Sequence, residues 1–220
     1  MSEYKTFELL LENVRLDRVS LTKPYIGKDA PVDPATGEKT GNYHVDAIFD
    51  VTHPQLEAIK TLMLQAVEHK FADRTQQVLE IIRAKDKLPL HRGDINRPGK
   101  PAFAGKLFLS ANNKQQPTIL VTEGDKNIAN RDTVPVFTPS HPKWPYSGCF
   151  ANVIVAFKAY EHTGTPGVSC YLNGVQFLNH GEKLGGSMVA SVGRFGLTAA
   201  GADGAPPAAQ AAASGGAGLI

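Results

Sequence analysis

The sequence predicts a mainly β fold: a small barrel or sheet of short strands with a single long α-helix packed on it. Three observations carry that prediction. Short apolar/polar alternations recur along the chain, Gly, Pro and Asn turns separate them, and one stretch alone repeats its apolar residues every three or four positions. The chain has 220 residues, 42% of them hydrophobic and 20% charged, which is enough for one sizeable core.

In chain order, Phe7, Leu9 and Leu11 share one parity and Val14 and Leu16 the other. The first strand, Phe7 to Val19, therefore carries a bulge near Glu12 and Asn13. A long loop rich in proline and glycine follows. Tyr43, Val45, Ala47, Phe49 and Val51 then alternate with polar residues as a half-buried strand. Thr52 or His53 is placed to cap a helix, with Pro54 at its first position and Glu57 in its first turn. Leu56, Ile59, Met63, Val67, Phe71, Val78 and Ile82 form the apolar stripe of a helix about 30 residues long, with a break expected near Asp73.

Short strands are expected at Lys106 to Ala111, Pro117 to Thr122, Val134 to Phe137, Phe150 to Tyr160 and Val168 to Leu178. Among small barrels, an OB-fold-like barrel with an inserted helix fits this count and is expected over residues 1–186. From Ser187 to Ile220, 18 of 34 residues are Ala or Gly and the only charges are Arg194 and Asp203. So little apolar area cannot offset ordering entropy, and residues 187–220 are expected to be a disordered tail.

Formal charge is only +2, but it is unevenly distributed. Between Arg83 and Lys106, seven basic residues face two acidic ones, so the positive charge is concentrated in one segment. Cys149 and Cys170 lie far apart inside apolar strand patterns, which predicts buried reduced thiols rather than a zinc ribbon or disulfide scaffold. The first residues lack a basic region followed by an apolar run, and no stretch approaches the roughly 18 apolar residues that span a bilayer, so a cytoplasmic protein is expected.

The strands raise a question about their second face. In "CFANVIVAFKAY", Ala151, Val153, Val155, Phe157 and Ala159 form a packing face, while Phe150, Asn152, Lys158 and Tyr160 share the other. Ser169, Tyr171, Asn173 and Phe177 repeat that mixture opposite Val168, Cys170, Leu172 and Leu178. Lys106, Phe108 and Ser110 repeat it opposite Leu107, Leu109 and Ala111. Rings flanked by lysine, asparagine and serine suit a sequence-tolerant platform for single-stranded nucleic acid: rings stack bases and cations track phosphates. A helix lying over that face would instead make the rings core, although it would not explain Lys106 and Lys158. The loop "TPSHPKWPYSG" holds the one tryptophan, Trp144, beside Tyr146, either presented to a ligand or plugging the barrel end.

The runs "RPGKPAFAGKLFLSA", "YSGCFANVIVAFKAY" and "GVSCYLNGVQFLNHGEKLGG" resemble a phage and prophage family of single-stranded-DNA-binding proteins with an OB fold. The resemblance implies non-catalytic, sequence-independent coating of single-stranded DNA in phage replication, recombination or repair, in the cytoplasm of a bacterial host. Carried over by motif, the residues at stake are Arg97, Lys100, Phe103, Lys106 and Phe108, then Tyr146, Phe150, Lys158 and Tyr160, then Tyr171 and Phe177. Arg92 and Trp144 join them on chemistry. Such proteins often end in an acidic tail tipped by an aromatic; this chain ends "GAGLI", leaving Leu219 and Ile220 as an apolar tip for docking replication or recombination enzymes. A homo-oligomer is compatible with the sequence, and no cofactor is implied.

Two other classes fit less well. The seven histidines are scattered without an H-x-H or H-E-x-x-H spacing, and Asp46 and Asp50 on one strand face stand roughly 13 Å apart, too far to share a metal ion as a nuclease requires. A β-rich virion protein with an Ala/Gly tail would not need a basic segment beside outward aromatics.

Overall fold

Alternation along the first segment carries β1 further than expected, from Phe7 to Tyr25. The expected bulge is present: pairing shifts between Leu11 and Val14, and Asn13 takes φ 49°. The computed structural model describes residues 7–28, 30–123, 126–129 and 143–185. The strand expected over residues 134–137 and the tail expected over residues 187–220 fall outside them.

Antiparallel pairing joins β1 to β2 (Asn42–Asp50) and to β7 (Phe150–His162), β2 to β4 (Lys106–Asn113), and β7 to β8 (Thr165–Asn179). β4 meets β8 in parallel at Asn112 and Tyr171, which closes a five-strand barrel in the ring order β1-β2-β4-β8-β7. Closure leaves these strands no free edge. A short β3 (Leu90–Arg92) pairs outside β4, and β5 (Thr118–Glu123) with β6 (Lys126–Ala129) extends from β8.

The long helix forms in two parts, α1 (Leu56–Phe71) and α2 (Thr75–Ala84), joined by a 3-10 turn at Ala72–Arg74. The break falls where expected because Ala72 takes φ 41°, which an L residue adopts only at a cost. Ile59, Met63, Val67, Phe71, Val78 and Ile82 are buried against β1, β7 and β8, so the stripe is core. The expected cap is displaced. The helix starts at Leu56, and the residues before it tie down the β1 bulge instead: Gln55 accepts from Glu12 N (2.8 Å) and donates to Leu10 O (2.7 Å). His53 Nε2 lies 3.0 Å from Glu12 O.

Inside the barrel, Ala151, Val153, Val155, Phe157 and Ala159 are buried as their parity predicts. β8 breaks its own alternation. Its pairing with β7 shifts between Ile154 and Val155, so Asn173 is an extra residue, and beyond it Val175 and Phe177 turn inward while Leu178 is only half-buried. Phe177 is therefore core, a correction to its expected outward placement. Both cysteines are free and buried. Burial pushes the Cys149 thiol up to about 11, against a hydrogen bond from Tyr146 N that favours the thiolate, and raises Cys170 further.

Candidate nucleic-acid interface

The residues opposite the core on β7, β1, β2, β4 and β3 line up in one row across the outside of the barrel. Register pairs Phe150 with Arg15, Arg15 with Ile48, Ile48 with Phe108, and Phe108 with His91. One end of that row is covered. The chain between β3 and β4 folds back over it through α3 (Gly93–Asn96) and a 3-10 turn at Pro101–Phe103. Phe103 meets Phe108 edge to face at 5.1 Å, and Ile48, Phe103 and Phe108 form a small apolar cluster of their own, with Ala102 and Leu184 packed against it. Gly93 makes the fold-back possible: a Cβ there would sit 2.0 Å from Phe103 O.

A second piece of chain, residues 181–185, completes the cover. Gly148 of the Tyr-Ser-Gly-Cys motif takes φ 114° and lets Glu182 O approach to where a Cβ would be only 2.0 Å away. Leu184 N donates to Ser147 O (2.8 Å), and the Tyr146 hydroxyl donates to Gly181 O (2.9 Å).

Between these covers and the strands lie two clefts, of about 530 and 500 Å³, that share Arg15 and Ala102. Lys106, His53, Gln55 and Phe150 line the first; Lys100, Phe103, Lys183 and Asp17 line the second. Lys183 lies over the Tyr146 ring, 5.9 Å from its centre, and the other three cations each face an acid. Lys106 pairs with Asp50, Lys100 Nζ lies 3.7 Å from Asp17, and Arg15 Nη2 lies 4.0 Å from the Glu182 carboxylate while donating to Glu182 O (2.9 Å). Deeper in the face, Asp46 is fully buried. Its Oδ1 accepts from Ser110 Oγ (2.6 Å) and bonds His44 Nε2 (3.0 Å); its Oδ2 accepts from Arg97 Nη2 (3.0 Å) and faces Arg18 Nη1 at 3.7 Å. Burial works against the Asp46 charge, but the hydrogen bonds from His44, Ser110 and Arg97 outweigh it and hold the carboxyl down at about 2.

Of the residues expected at an interface, the structure brings Arg97, Lys100, Lys106 and Phe150 to this face and leaves Arg92 exposed at its β3 edge. Phe103 and Phe108 are there too, but buried; their rings pack on each other, with the Arg97 guanidinium 4.9 Å from the Phe108 ring and Lys100 Nζ 5.8 Å from the Phe103 ring. Phe108 is corrected from an outward stacking candidate to the floor of the small cluster, and Phe103, named at the interface by motif, is its lid. Tyr146 and half-buried Trp144 pack against the main core, with Tyr146 anchoring the 181–185 segment. Lys158, Tyr160 and Tyr171 lie elsewhere, on the β7–β8 side, where the Tyr160 ring rests on Gly167 and Tyr171 is exposed.

Three residues escaped the sequence reading. Arg15 sits between buried Val14 and Leu16, so its outward parity was available from the pattern. Arg18 depends on a second irregularity of β1, and Tyr25, 61% exposed at the end of β1 beside Lys23 and Lys28, lies in a stretch read only as loop.

Among the described residues, no three His, Cys, Asp or Glu side chains come together to hold a metal ion, and no helix is long and apolar enough to cross a membrane. A family model described as Enterobacter phage Enc34, ssDNA-binding protein, matches residues 8–205. Protein p50 of Acyrthosiphon pisum secondary endosymbiont phage 1 is 29% identical over 185 residues, covering 83% of this chain and 91% of that protein. Among solved structures, the single-stranded DNA-binding protein from bacteriophage Enc34 in complex with ssDNA aligns with TM-score 0.55 at 20% identity, over 81% of this chain and 89% of that one. A C-terminal truncation of the same bacteriophage protein aligns with TM-score 0.53 at 18% identity, over 80% and 88%. At these identities the structural likeness establishes the fold.

Proposed function

The chain belongs to the family of the Enterobacter phage Enc34 ssDNA-binding protein, and from that premise we propose that it is a non-catalytic protein that binds and coats single-stranded DNA without sequence preference in phage replication, recombination or repair. The observation that carries the siting is the open half of the outer row. Phe150 and Arg15 stand side by side between two clefts whose rims hold Lys100, Lys106 and Lys183. Bases stack on Phe150, and on Tyr25 where the strand reaches the β1–β2 hairpin. Phosphates run along Arg15, Lys100 and Lys106.

Ion pairing of Arg15 and Lys106 is compatible with that use. The Asp50 and Glu182 carboxylates are exposed, and exposed pairs are worth only about 0–1 kcal/mol, so phosphate replaces them readily. The reading includes action in the cytoplasm of the bacterial host. Replication or recombination enzymes dock through the chain beyond Gly185, and self-association on the DNA is compatible with the face described.

The test is a fluorescence titration of the full chain with a labelled thymidine oligomer at several salt concentrations. Thymidine does not self-pair, so binding reports single strands. Affinity is expected to fall with salt, log K against log salt having a slope of about 0.7 per phosphate neutralised. Absence of binding at low salt overturns the reading.

A further inference from the structure

We propose that Asp46 is a positioning residue for single-stranded DNA: it gathers the guanidiniums of Arg18 and Arg97 onto one carboxylate oxygen and presents them together as a paired site for backbone phosphate. The inference rests on the functional reading above and goes beyond it in assigning an acid a favourable part in binding an anion.

The two arginines come from different elements. Arg97 follows α3 on the folded-back segment, and its orientation is fixed three ways: Nη2 on Asp46, Nη1 donating to Asn96 O at 3.1 Å, and one face over Phe108. Arg18 belongs to β1, where strict alternation after Leu16 would send it into the barrel. Pairing with β2 shifts between Asp17 and Ser20, and Arg18 takes φ 50°, which turns its side chain out to the same carboxylate. A non-glycine residue held at positive φ beside a buried acid points to a local requirement that outweighs its strain.

Asp46 differs from the exposed acids of the face, Asp50 and Glu182. Those two can yield their cations to phosphate, whereas Asp46 is fully buried, with its other oxygen fixed by Ser110 and His44. It stays in place and stays ionised at neutral pH. Two guanidiniums on one carboxylate leave a net positive charge, with Arg18 the more open of the two at 41% side-chain exposure against 24% for Arg97. Guanidiniums held in a fixed orientation are suited to bidentate contact with phosphate oxygens.

The proposal predicts an effect opposite in sign to that of charge alone. Removing a negative charge from a DNA-binding face should tighten binding, whereas removing a positioning group should weaken it. Wild type, Asp46→Asn, Arg18→Gln and the double variant are titrated with a labelled thymidine oligomer across a salt series, and urea unfolding of each serves as the fold control. Asp46→Asn is expected to bind about tenfold more weakly, the size of one charge-assisted contact, with its salt slope lowered by about 0.7. In the Arg18→Gln background the same change should matter much less.

Unchanged or tighter binding by Asp46→Asn overturns the proposal, and so does a weakening that is as large with Arg18 removed as with it present. If Asp46→Asn does not fold, Ser110→Ala removes one donor to Asp46 without altering charge. It should weaken binding only while Arg18 is present, and an effect independent of Arg18 overturns the proposal. A wild-type chain that fails to bind sinks the functional reading itself, a result distinct from tight binding by both wild type and Asp46→Asn.

Discussion

On the β2–β4 outer face, Ile48 and Phe108 are 3% and 1% exposed; on the β7–β8 outer face, Ile154 and Tyr171 are 37% and 39% exposed. Both faces mix aromatic or aliphatic residues with polar ones at the parity that points away from the barrel. They part company because the β2–β4 face is followed and preceded by chain that returns over it, the 93–105 segment and residues 181–185, while the β7 and β8 hairpin closes tightly at Thr163 and Gly164 and supplies no cover. The covering segment is also the basic one. Its packing onto Phe108 is what sets Arg97 and Lys100 over the barrel, so in the proposed mode of binding the aromatic residues of this face act from beneath, by holding the cations rather than by meeting the bases.

That contrast breaks first at Phe108. Phe108→Ala removes a fully buried ring from the small cluster and is expected to cost about 3–5 kcal/mol of stability in urea unfolding, the range for a phenylalanine truncated in a packed site. A variant of unchanged stability that binds DNA more weakly would mean that the cover lifts and the ring is a stacking platform after all.

Acid should separate the two faces next. The Asp46 carboxyl titrates at about 2 in the folded chain against an ordinary value of 3.8, so its contribution to stability is fully present above about pH 4 and is lost as pH falls through 2. The shift corresponds to on the order of 2 kcal/mol. Unfolding measured at pH 5 and at pH 2.5 should show that loss, and Asp46→Asn should flatten this part of the profile. An acid limb unchanged by Asp46→Asn would show that the buried carboxylate does not anchor the cover.

Phe150→Ala comes third. It is expected to weaken thymidine-oligomer binding toward the lower end of the roughly 1–3 kcal/mol measured for base–aromatic stacking, with an unchanged salt slope, whereas Lys100→Ala should lower the slope by about 0.7. A Phe150→Ala variant that loses slope as well would indicate that the ring acts by placing Arg15, its cross-strand neighbour.

How much of this was legible in the sequence depended on whether the information was periodic. The β7 core face could be read directly, because every second residue from Ala151 to Ala159 is buried, with Ala156 the one further buried residue among them. In β8 the same reading fails after one extra residue: Asn173 interrupts the register and carries Phe177 inward. Parity also placed Phe108 on the outer surface correctly, but parity says nothing about what lies on a surface. The cover is irregular chain whose signals are single glycines, Gly93 and Gly148, that admit a close backbone approach. Arg15 was available from its position between Val14 and Leu16, whose shared inward parity leaves it facing out. Arg18 was not available, since its exposure depends on a backbone irregularity with φ 50° that no pattern of residue types announces.

The smallest effect is expected on the open face, and it is the one that fixes where the strand runs. Tyr171 is exposed, is paired with Ala156 across β8 and β7, and has no cleft lined by cations beside it among those described. A ring in that setting can be removed with little change in packing, so Tyr171→Ala should shift stability by no more than about 0.5 kcal/mol, as surface substitutions usually do. Its effect on thymidine-oligomer affinity should stay within about twofold, because Tyr171 lines neither of the clefts rimmed by Arg15, Lys100 and Lys106. Lys158→Ala, on the same face, should leave the salt slope unchanged, because that side chain lines neither cleft. If Tyr171→Ala instead weakened binding as much as Phe150→Ala, the DNA path would have to pass across β7 and β8, and the cations over β2 and β4 would be structural. The two rings lie on neighbouring strands at different levels, Phe150 paired with Arg15 of β1 and Tyr171 with Ala156 of β7, so comparing the two variants at one salt concentration decides between the paths.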